Sequence, residues 1–584
     1  MISFGTGGWR AIIADGFTKL NVQRLARALA LRMKAEDVQD KSFCIGYDRR
    51  FLSREAAQWA AEVLAGEGIH VLFISREAPT PLIMFTVQYY GLDYGMAVTA
   101  SHNPAIYNGV KVFTKGGRDA EESVTNELGE AANRVAEEDI HIIPYDKAVA
   151  AGLVQEINPQ NPYLDAIIRG VNMDAIRSRD LHIILDPMYG VSRTSLQTIL
   201  LTARCDVNVI HERHDTLFGG RLPAPNVQTL GALRAAVLEQ HADLGIATDG
   251  DADRLGIIDD EGRFVHPNQI LVLLYYYLLK YKGWHGPAVR NLATTHLLDR
   301  VAAAFGETCY EVPVGFKHIS AGMREHNAVI GGESSGGLTV RGHINGKDGI
   351  YAATLLVEML SVTGKKMSAL MREIYDEFGT AYMTERDWPF DEETKQRLNT
   401  LLMVDKKLPD FPVPVKSVNY MDGCKVLFDN GWLIARFSGT EPRIRIFCEM
   451  PTREEAERLT GVMAAFFRLF SHLEPQRRFA AKLRDGAFFI RVIGVGIAAE
   501  LLQEANSSLV VPTNQRNAVE RLDCPIVHLR PKAPFHRRLI RLVEELQDGP
   551  LRHFSAGIPL MKPVFNPMDA PIGRAPAFDI ARIR

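Results

Sequence analysis

Ser101 stands in the run Thr99-Ala-Ser-His-Asn-Pro104, directly after an apolar stretch with strand character. Ser, Asn and Pro favour a turn, so the strand delivers a hydroxyl to an exposed loop at its carboxyl end. That hydroxyl could be a nucleophile, and the same residues could equally make an ordinary Asx-type turn. The neighbouring His102 is no sign of a Ser-His pair, because adjacent side chains rarely face one another. Asp249-Gly-Asp-Ala-Asp-Arg254 places three carboxylates at alternate positions between two apolar strands. Oxygen-only ligands of that kind suit Mg²⁺, and three acids so close would repel one another without a cation. An EF-hand loop needs Gly at its sixth position and Glu at its twelfth. Here those positions hold Arg254 and Asp260, so only a metal turn of another kind or a solvated acidic turn remains.

Two further runs carry chemistry. Gly331-Gly-Glu-Ser-Ser-Gly-Gly337 lets backbone approach a ligand closely and offers a carboxylate and hydroxyls that suit sugar hydroxyls, although such loops also serve as plain turns. Arg436-Phe-Ser-Gly-Thr-Glu-Pro-Arg-Ile-Arg445 joins guanidiniums to hydroxyls and Gly-freed amides. Arginine matches phosphate oxygens in pairs and a nest of N–H groups takes the rest, so the run reads as a phosphate cradle rather than a solvated turn. A hydroxyl, a divalent-cation site, a polyol-reading loop and an anion cradle together suit phosphoryl transfer on a sugar phosphate.

Elements must hold these four runs. Phe43–Tyr47, Ile69–Ile74, Gly95–Thr99, Leu181–Leu185, Val207–Ile210 and Leu244–Ala247 read as buried strands, with helical spacing between them, as from Arg54 to Leu64. Strands alternating with helices predict α/β units with mainly parallel sheet. Pro- and Gly-marked joints near 155–162, 262–268 and 385–393 divide the chain into expected domains at 1–155, 156–265, 266–385 and 386–474. A distinct segment follows at 475–584, and no internal repeat is evident.

The composition narrows the function classes. Among 584 residues, 46% are hydrophobic and 23% charged, with a net charge of −3, a globular balance with no basic excess to favour nucleic acid. The longest apolar run, Ile270 to Leu279, is half of what a membrane span needs, so it predicts a buried helix. The start, MISFGTGGWR, lacks the pattern of a signal peptide. Six cysteines without a CxxC pair read as reduced core residues of a cytoplasmic protein.

At these residues the sequence resembles the α-D-phosphohexomutase family of phosphoglucomutases and phosphomannomutases, over about residues 1–470. TASHNP resembles the phosphoserine loop, DGDADR the metal loop, GESSG the sugar loop and RFSGTEPRIR the phosphate loop, in family order. The opening GTGGWR, PTP at 79–81 and DPMYG at 186–190 are similar too. The resemblance implies three related α/β domains and a smaller fourth around a central cleft. It implies that Ser101 carries the transferred phosphoryl group, and that Asp249, Asp251 and Asp253 with a phosphoserine oxygen bind one Mg²⁺. By the same resemblance Lys111 is the general base or acid, while Arg10, His102 and Arg254 line the phosphoserine. Lys317, Glu333 and Ser335 then read the sugar, and Arg436, Ser438, Gly439, Thr440 and Arg445 hold the phosphate that is not transferred. The implied reaction interconverts hexose 1- and 6-phosphates through a hexose 1,6-bisphosphate, glucose 1,6-bisphosphate for a glucose enzyme. A basic lysine needs a lowered pKa, and Arg10, Arg254 and Mg²⁺ are expected to lower that of Lys111.

Two departures bear on substrate and extent. Gly337 stands where the branch acting on both glucose and mannose phosphates often has His, and Gly315-Phe-Lys317 is similar to a stretch of glucose-type enzymes. Both lean toward glucose, with mannose and glucosamine phosphates as alternatives. The segment 475–584 has no counterpart in the family pattern and carries a net +7 against −10 for the rest. Its Gly494-x-Gly496-x-x-Ala499 lacks the acidic residue that a dinucleotide site requires about 20 positions on. A small α/β appendage that packs on the enzyme or mediates homo-oligomer contacts is the expectation, with polyanion binding as the sharper alternative. Two rivals to a mutase are an aspartyl-phosphate enzyme using Asp249 and a silent mutase-like scaffold. Against the first, Asp253 stands where that class has Thr or Val; against the second, every motif keeps its competent residue.

Overall fold

Four strands of residues 1–157 alternate with helices as their apolar spacing predicts: Val71–Ile74, Phe43–Tyr47 and Tyr94–Val98 lie parallel in that order, and Tyr107–Thr114 adds antiparallel to the last. The structure, a computed structural model, describes residues 1–467 except 6, 390 and 438–442. Ser438, Gly439, Thr440 and the segment 475–584 therefore lie outside the described residues. Every residue of Phe43–Tyr47, Val71–Ile74 and Tyr94–Val98 is buried, as befits strands covered on both faces by helices.

The same arrangement recurs twice. Asp206–Val209, His182–Asp186 and Leu244–Thr248 run parallel, with Leu255–Ile258 antiparallel beside the last. Cys309–Val312, Ala288–Asn291 and Ile330–Gly332 run parallel, with Leu338–Val340 antiparallel beside the last. The sequence shows no internal repeat, yet these three sheets share one strand order, because pairing geometry can be kept while side chains diverge. The expected mainly parallel sheet is thus corrected: each unit ends in an antiparallel hairpin. The fourth sheet, Tyr382–Pro389, Arg443–Met450, Trp432–Phe437, Cys424–Leu427 and Ser417–Asn419, is antiparallel throughout.

Two joints differ from the sequence reading. Val154–Ile157 pairs with Val71–Ile74, so the first sheet takes in residues on both sides of 155. Tyr382 already pairs with Met450, so the fourth sheet begins before 386. The apolar run Ile270 to Leu279 is the helix Pro267–Lys280, buried along that whole run and started by a capping box of His266 and Gln269. It shares one hydrophobic core with Leu82 of the first unit, Ile199 and Leu244 of the second and Leu356 of the third. The five cysteines among the described residues are free thiols, four of them buried. Among the described residues no helix is long and apolar enough to cross a membrane.

Candidate active site

The first three candidate loops occupy the same topological place, the turn between the last parallel strand of a unit and its antiparallel partner. Ser101 lies between Tyr94–Val98 and Tyr107–Thr114, the Asp249–Arg254 turn between Leu244–Thr248 and Leu255–Ile258, and Glu333–Gly337 between Ile330–Gly332 and Leu338–Val340. The fourth loop, 438–442, joins Trp432–Phe437 to Arg443–Met450.

The Ser101 loop is held from beneath. Arg50, 3% exposed, donates from Nη2 to the carbonyls of Ser101 (2.6 Å) and Asn103 (2.7 Å). From Nη1 it donates to those of Pro104 (2.9 Å) and Tyr107 (3.0 Å). Buried Asp48 accepts from Thr99 Oγ1 at 2.6 Å, and that oxygen accepts from the Ser101 N–H at 2.8 Å. So braced, Ser101 adopts φ +52°, a left-handed conformation disfavoured for a side-chain-bearing residue and typical of functional turns. Its Oγ donates to Asp249 Oδ2 at 2.8 Å and lies 3.3 Å from His102 Nδ1. Adjacent side chains rarely face one another, but the left-handed turn at Ser101 brings the His102 ring beside its hydroxyl. Burial, with Arg254 and Arg10 nearby, holds the His102 imidazole well below its usual pKa, so it stays neutral.

Asp249, Asp251 and Asp253 each offer an oxygen within 4.8 Å of the others, and all three are buried. Burial and the two neighbouring carboxylates push Asp249 far above the usual carboxyl range. Burial and Asp253 also oppose charge on Asp251, but Lys111 outweighs them and its pKa is lowered. Lys111 Nζ donates to Asp251 Oδ2 and Asp253 Oδ2, both at 2.6 Å. Burial disfavours that ammonium, yet the two carboxylates dominate and its pKa is raised. Of the cations expected to lower it, Arg10 does oppose the charge, but the two carboxylates in contact outweigh it. Among the described residues the buried Oδ1 atoms of Asp251 and Asp253 have no hydrogen-bond partner. An all-oxygen set with two free lone-pair donors fits a hard divalent cation such as Mg²⁺.

The first two loops touch. A Cβ on Gly250 would sit 2.8 Å from the Ser101 carbonyl, so this close approach requires glycine. Thr80, the middle of PTP, donates through Oγ1 to Asp251 Oδ2 at 2.7 Å and through its N–H to the Asp251 carbonyl at 2.9 Å. Arg254 donates its N–H to Asp249 Oδ1 at 3.0 Å, and Arg10 Nη1 donates to Asn103 Oδ1 at 2.7 Å. Lys347 Nζ lies 2.9 Å from Asp253 Oδ2, and its stem fills the space beside Gly337, where a Cβ would meet Lys347 Cδ at 2.2 Å.

In the third loop Glu333 Oε1 accepts from Asn291 Nδ2 (2.9 Å) and from the Gly315 N–H (3.1 Å), while Ser335 Oγ reaches Oε2 at 3.4 Å. Lys317 pairs with Glu122 of the first unit, which lowers the Glu122 pKa, so the stretch that begins at Gly315 bridges two units. In the fourth domain Arg436 and Arg445 are cross-strand partners on adjacent strands. Arg436 Nε donates to Asp422 Oδ1 at 3.3 Å, and Arg445 Nε lies 3.5 Å from Asp387 Oδ1. Asp422 Oδ2 also accepts from the Val314 N–H at 2.9 Å, linking this site to the third unit. Sequence reading did not single out Arg50, Asp48, Thr80 or Lys347. Only PTP carried a visible signal, since a buried arginine bonded to carbonyls cannot be told from a surface one by type.

Four family profiles match in chain order. They are phosphoglucomutase/phosphomannomutase alpha/beta/alpha domain I at residues 1–139, domain II at 161–262, domain III at 266–378, and the C-terminal domain at 396–465. A phosphoglucomutase/phosphomannomutase of Thermococcus kodakarensis is 30% identical over 458 residues, covering 78% of this chain and 95% of the relative. A probable phosphoglucosamine mutase of Pyrococcus furiosus is 31% identical over 461 residues, with the same two coverages. A solved Thermus thermophilus structure bearing the name phosphomannomutase superposes with TM-score 0.69 at 29% identity, covering 80% of this chain and 99% of that one. With its four motifs on four matched domains, the chain belongs to the phosphoglucomutase/phosphomannomutase family, the α-D-phosphohexomutases.

Proposed function

We propose that this phosphohexomutase interconverts glucose 1-phosphate and glucose 6-phosphate, with Ser101 as the residue that gives and receives the phosphoryl group. The observation that carries the reading is Ser101, 1% exposed on a left-handed turn, with its Oγ 2.8 Å from Asp249 of a buried three-carboxylate cluster. Mg²⁺ held by Asp249, Asp251 and Asp253 supplies positive charge that offsets charge on the phosphoryl oxygens. Arg10 and Arg254 orient those oxygens, and neutral His102 offers a ring nitrogen beside Oγ. In the first half-reaction the bond from phosphorus to Ser101 Oγ breaks and a bond to the free sugar hydroxyl forms. The hydroxyl proton passes to Lys111 in its neutral amine form, which requires the ammonium held by Asp251 and Asp253 to have given its own proton to water first, and in the second half-reaction, after the glucose 1,6-bisphosphate reorients, the flow reverses. Lys111 Nζ, held between Asp251 and Asp253, then carries the hydroxyl proton until the second half-reaction returns it.

Glu333 and Ser335 bind sugar hydroxyls, Lys317 helps to select the hexose, and Arg436, Ser438, Gly439, Thr440 and Arg445 hold the other phosphate. The glucose preference rests on the Gly315-Phe-Lys317 stretch and on Gly337. The Pyrococcus furiosus relative's name favours glucosamine phosphate as the second reading. Initial rates on glucose, mannose and glucosamine 1-phosphates, with Mg²⁺ and a trace of the matching bisphosphate, decide between them. Glucose is expected to give the highest kcat/KM; the absence of turnover on all three would overturn the mutase reading. Acid-stable phosphate at Ser101, lost together with turnover in Ser101→Ala, is expected from phosphopeptide mapping.

A further inference from the structure

A cavity of about 310 Å³ opens beside the catalytic loops, and none of its lining residues belongs to the proposed catalytic set. Arg49 and Arg76 line it. Arg76 is exposed and has no hydrogen-bond or ion-pair partner among the described residues. Three helices begin on its wall: Thr80–Tyr89 after Pro79, Gln160–Gly170 at Gln160, and Ser192–Thr202 after Val191. The Thr80 N–H donates to the Asp251 carbonyl and the Gln160 N–H to Asn158 Oδ1, whereas Ser192–Thr202 has no side-chain cap among the described residues. A helix start with free N–H groups carries partial positive charge, so that of Ser192–Thr202, with two guanidiniums beside it, favours an anion. Ser195, only 1% exposed, also lines the cavity, and its hydroxyl has no hydrogen-bond partner among the described residues. A buried hydroxyl is normally satisfied, so one left without a partner on a cavity wall points to a bound acceptor. Arg49 Nε is likewise buried without an acceptor among the described residues, while its Nη1 donates to the Glu212 carbonyl at 3.2 Å. Glu77 is the one acid on the wall, and it lies 3.4 Å from His214 Nδ1.

We propose that this cavity is a second anion site that binds a phosphate monoester of about sugar size and sets the pose of the catalytic loops. The volume exceeds what a bare phosphate fills, which leaves room for an organic group. The coupling follows from the wall itself. Beyond Pro79, Thr80 holds Asp251 by two hydrogen bonds. The Val191 N–H donates to the Gly250 carbonyl at 3.2 Å. Arg49 precedes Arg50, the residue that grips the Ser101 loop. An anion that tightens these three points acts on the Ser101 and Asp249–Arg254 turns at once.

The test uses full-length wild type, Arg76→Glu and Ser195→Asp, with inorganic phosphate and fructose 6-phosphate as probes. Thermal stability reads binding without turnover, so its outcome stands apart from the proposed sugar specificity. The rate at saturating substrate reads coupling, because the active site is then filled. Fructose 6-phosphate is expected to raise the wild-type Tm further than that of either variant. It is also expected to change wild-type kcat at least twofold, saturably, with both variants unresponsive and their basal kcat within twofold of wild type. If inorganic phosphate alone reproduces the full response, the site still binds the anion, but the sugar-sized ester is overturned as its source. Equal Tm shifts in all three proteins overturn the site, and a wild-type-specific Tm shift with unchanged kcat overturns the coupling.

Discussion

Arg50→Met removes the side chain whose guanidinium holds four carbonyls of the Ser101 loop. Four carbonyls accept from Arg50, at 2.6 to 3.0 Å. The Pro104 carbonyl keeps a second bond from the Tyr107 N–H, so Ser101 and Asn103 carry most of the loss. Hydrogen bonds to a charged donor contribute about 1.5–3 kcal/mol each, so two give about 3–6 kcal/mol before water and backbone relax into the gap. Taking about 3 kcal/mol as the remaining cost of holding Ser101 at its left-handed angle, and about 1.4 kcal/mol per decade, kcat/KM should fall about a hundredfold. Arg50→Lys should fall between, because one ammonium cannot reach four acceptors. The assay pairs mutase rates with phosphate stoichiometry at Ser101 and with Tm, which shows that the variant is folded. A folded Arg50→Met enzyme with kcat/KM within threefold of wild type would refute the reasoning.

The other predictions are independent of it. Gly337→Ala must displace Lys347, and overpacking of this kind costs about 1–3 kcal/mol, so kcat/KM should drop about tenfold. Lys347→Met should drop it similarly, and the double variant should be no worse than either, a non-additivity that kinetics can check. Burial pulls the His266 imidazole, which caps the helix Pro267–Lys280, down to about 4. A folded pKa below the unfolded one means stability present above about pH 6.5 and lost as pH falls toward 4, by no more than about 3 kcal/mol. His266→Asn keeps a capping side chain without titrating, so its Tm should fall less than wild type between pH 7.5 and 4.5. Chelation should stop turnover and Mg²⁺ should restore it, while Asp251→Asn should raise the Mg²⁺ concentration for half activity at least tenfold. A chain ended near 474 should keep substantial mutase activity, since the four motifs precede residue 446 and the family match ends at 465. Its oligomeric state or solubility is expected to change, as sedimentation can read.

Chemistry confined to one short run was legible in the sequence. Three acids at alternate positions, a Gly/Ser loop with one carboxylate, and paired arginines about a Ser-Gly-Thr turn are candidates by type and spacing, because neighbours along the chain stay neighbours in the fold. The strands were legible for the same local reason: Phe43–Tyr47 and Leu244–Thr248 are buried on both faces and read as continuous apolar runs. Tertiary structure alone decided what crosses between runs. The repeated strand order is set by pairing between distant segments and leaves no shared side-chain pattern. Arg50 and Thr80 become supports of the site only when the chain brings them under loops 51 and 171 residues away. The charge state of Lys111 followed the same logic. Sequence gave it cationic neighbours, but its pKa is set by which charges touch it, and the fold put Asp251 and Asp253 at 2.6 Å.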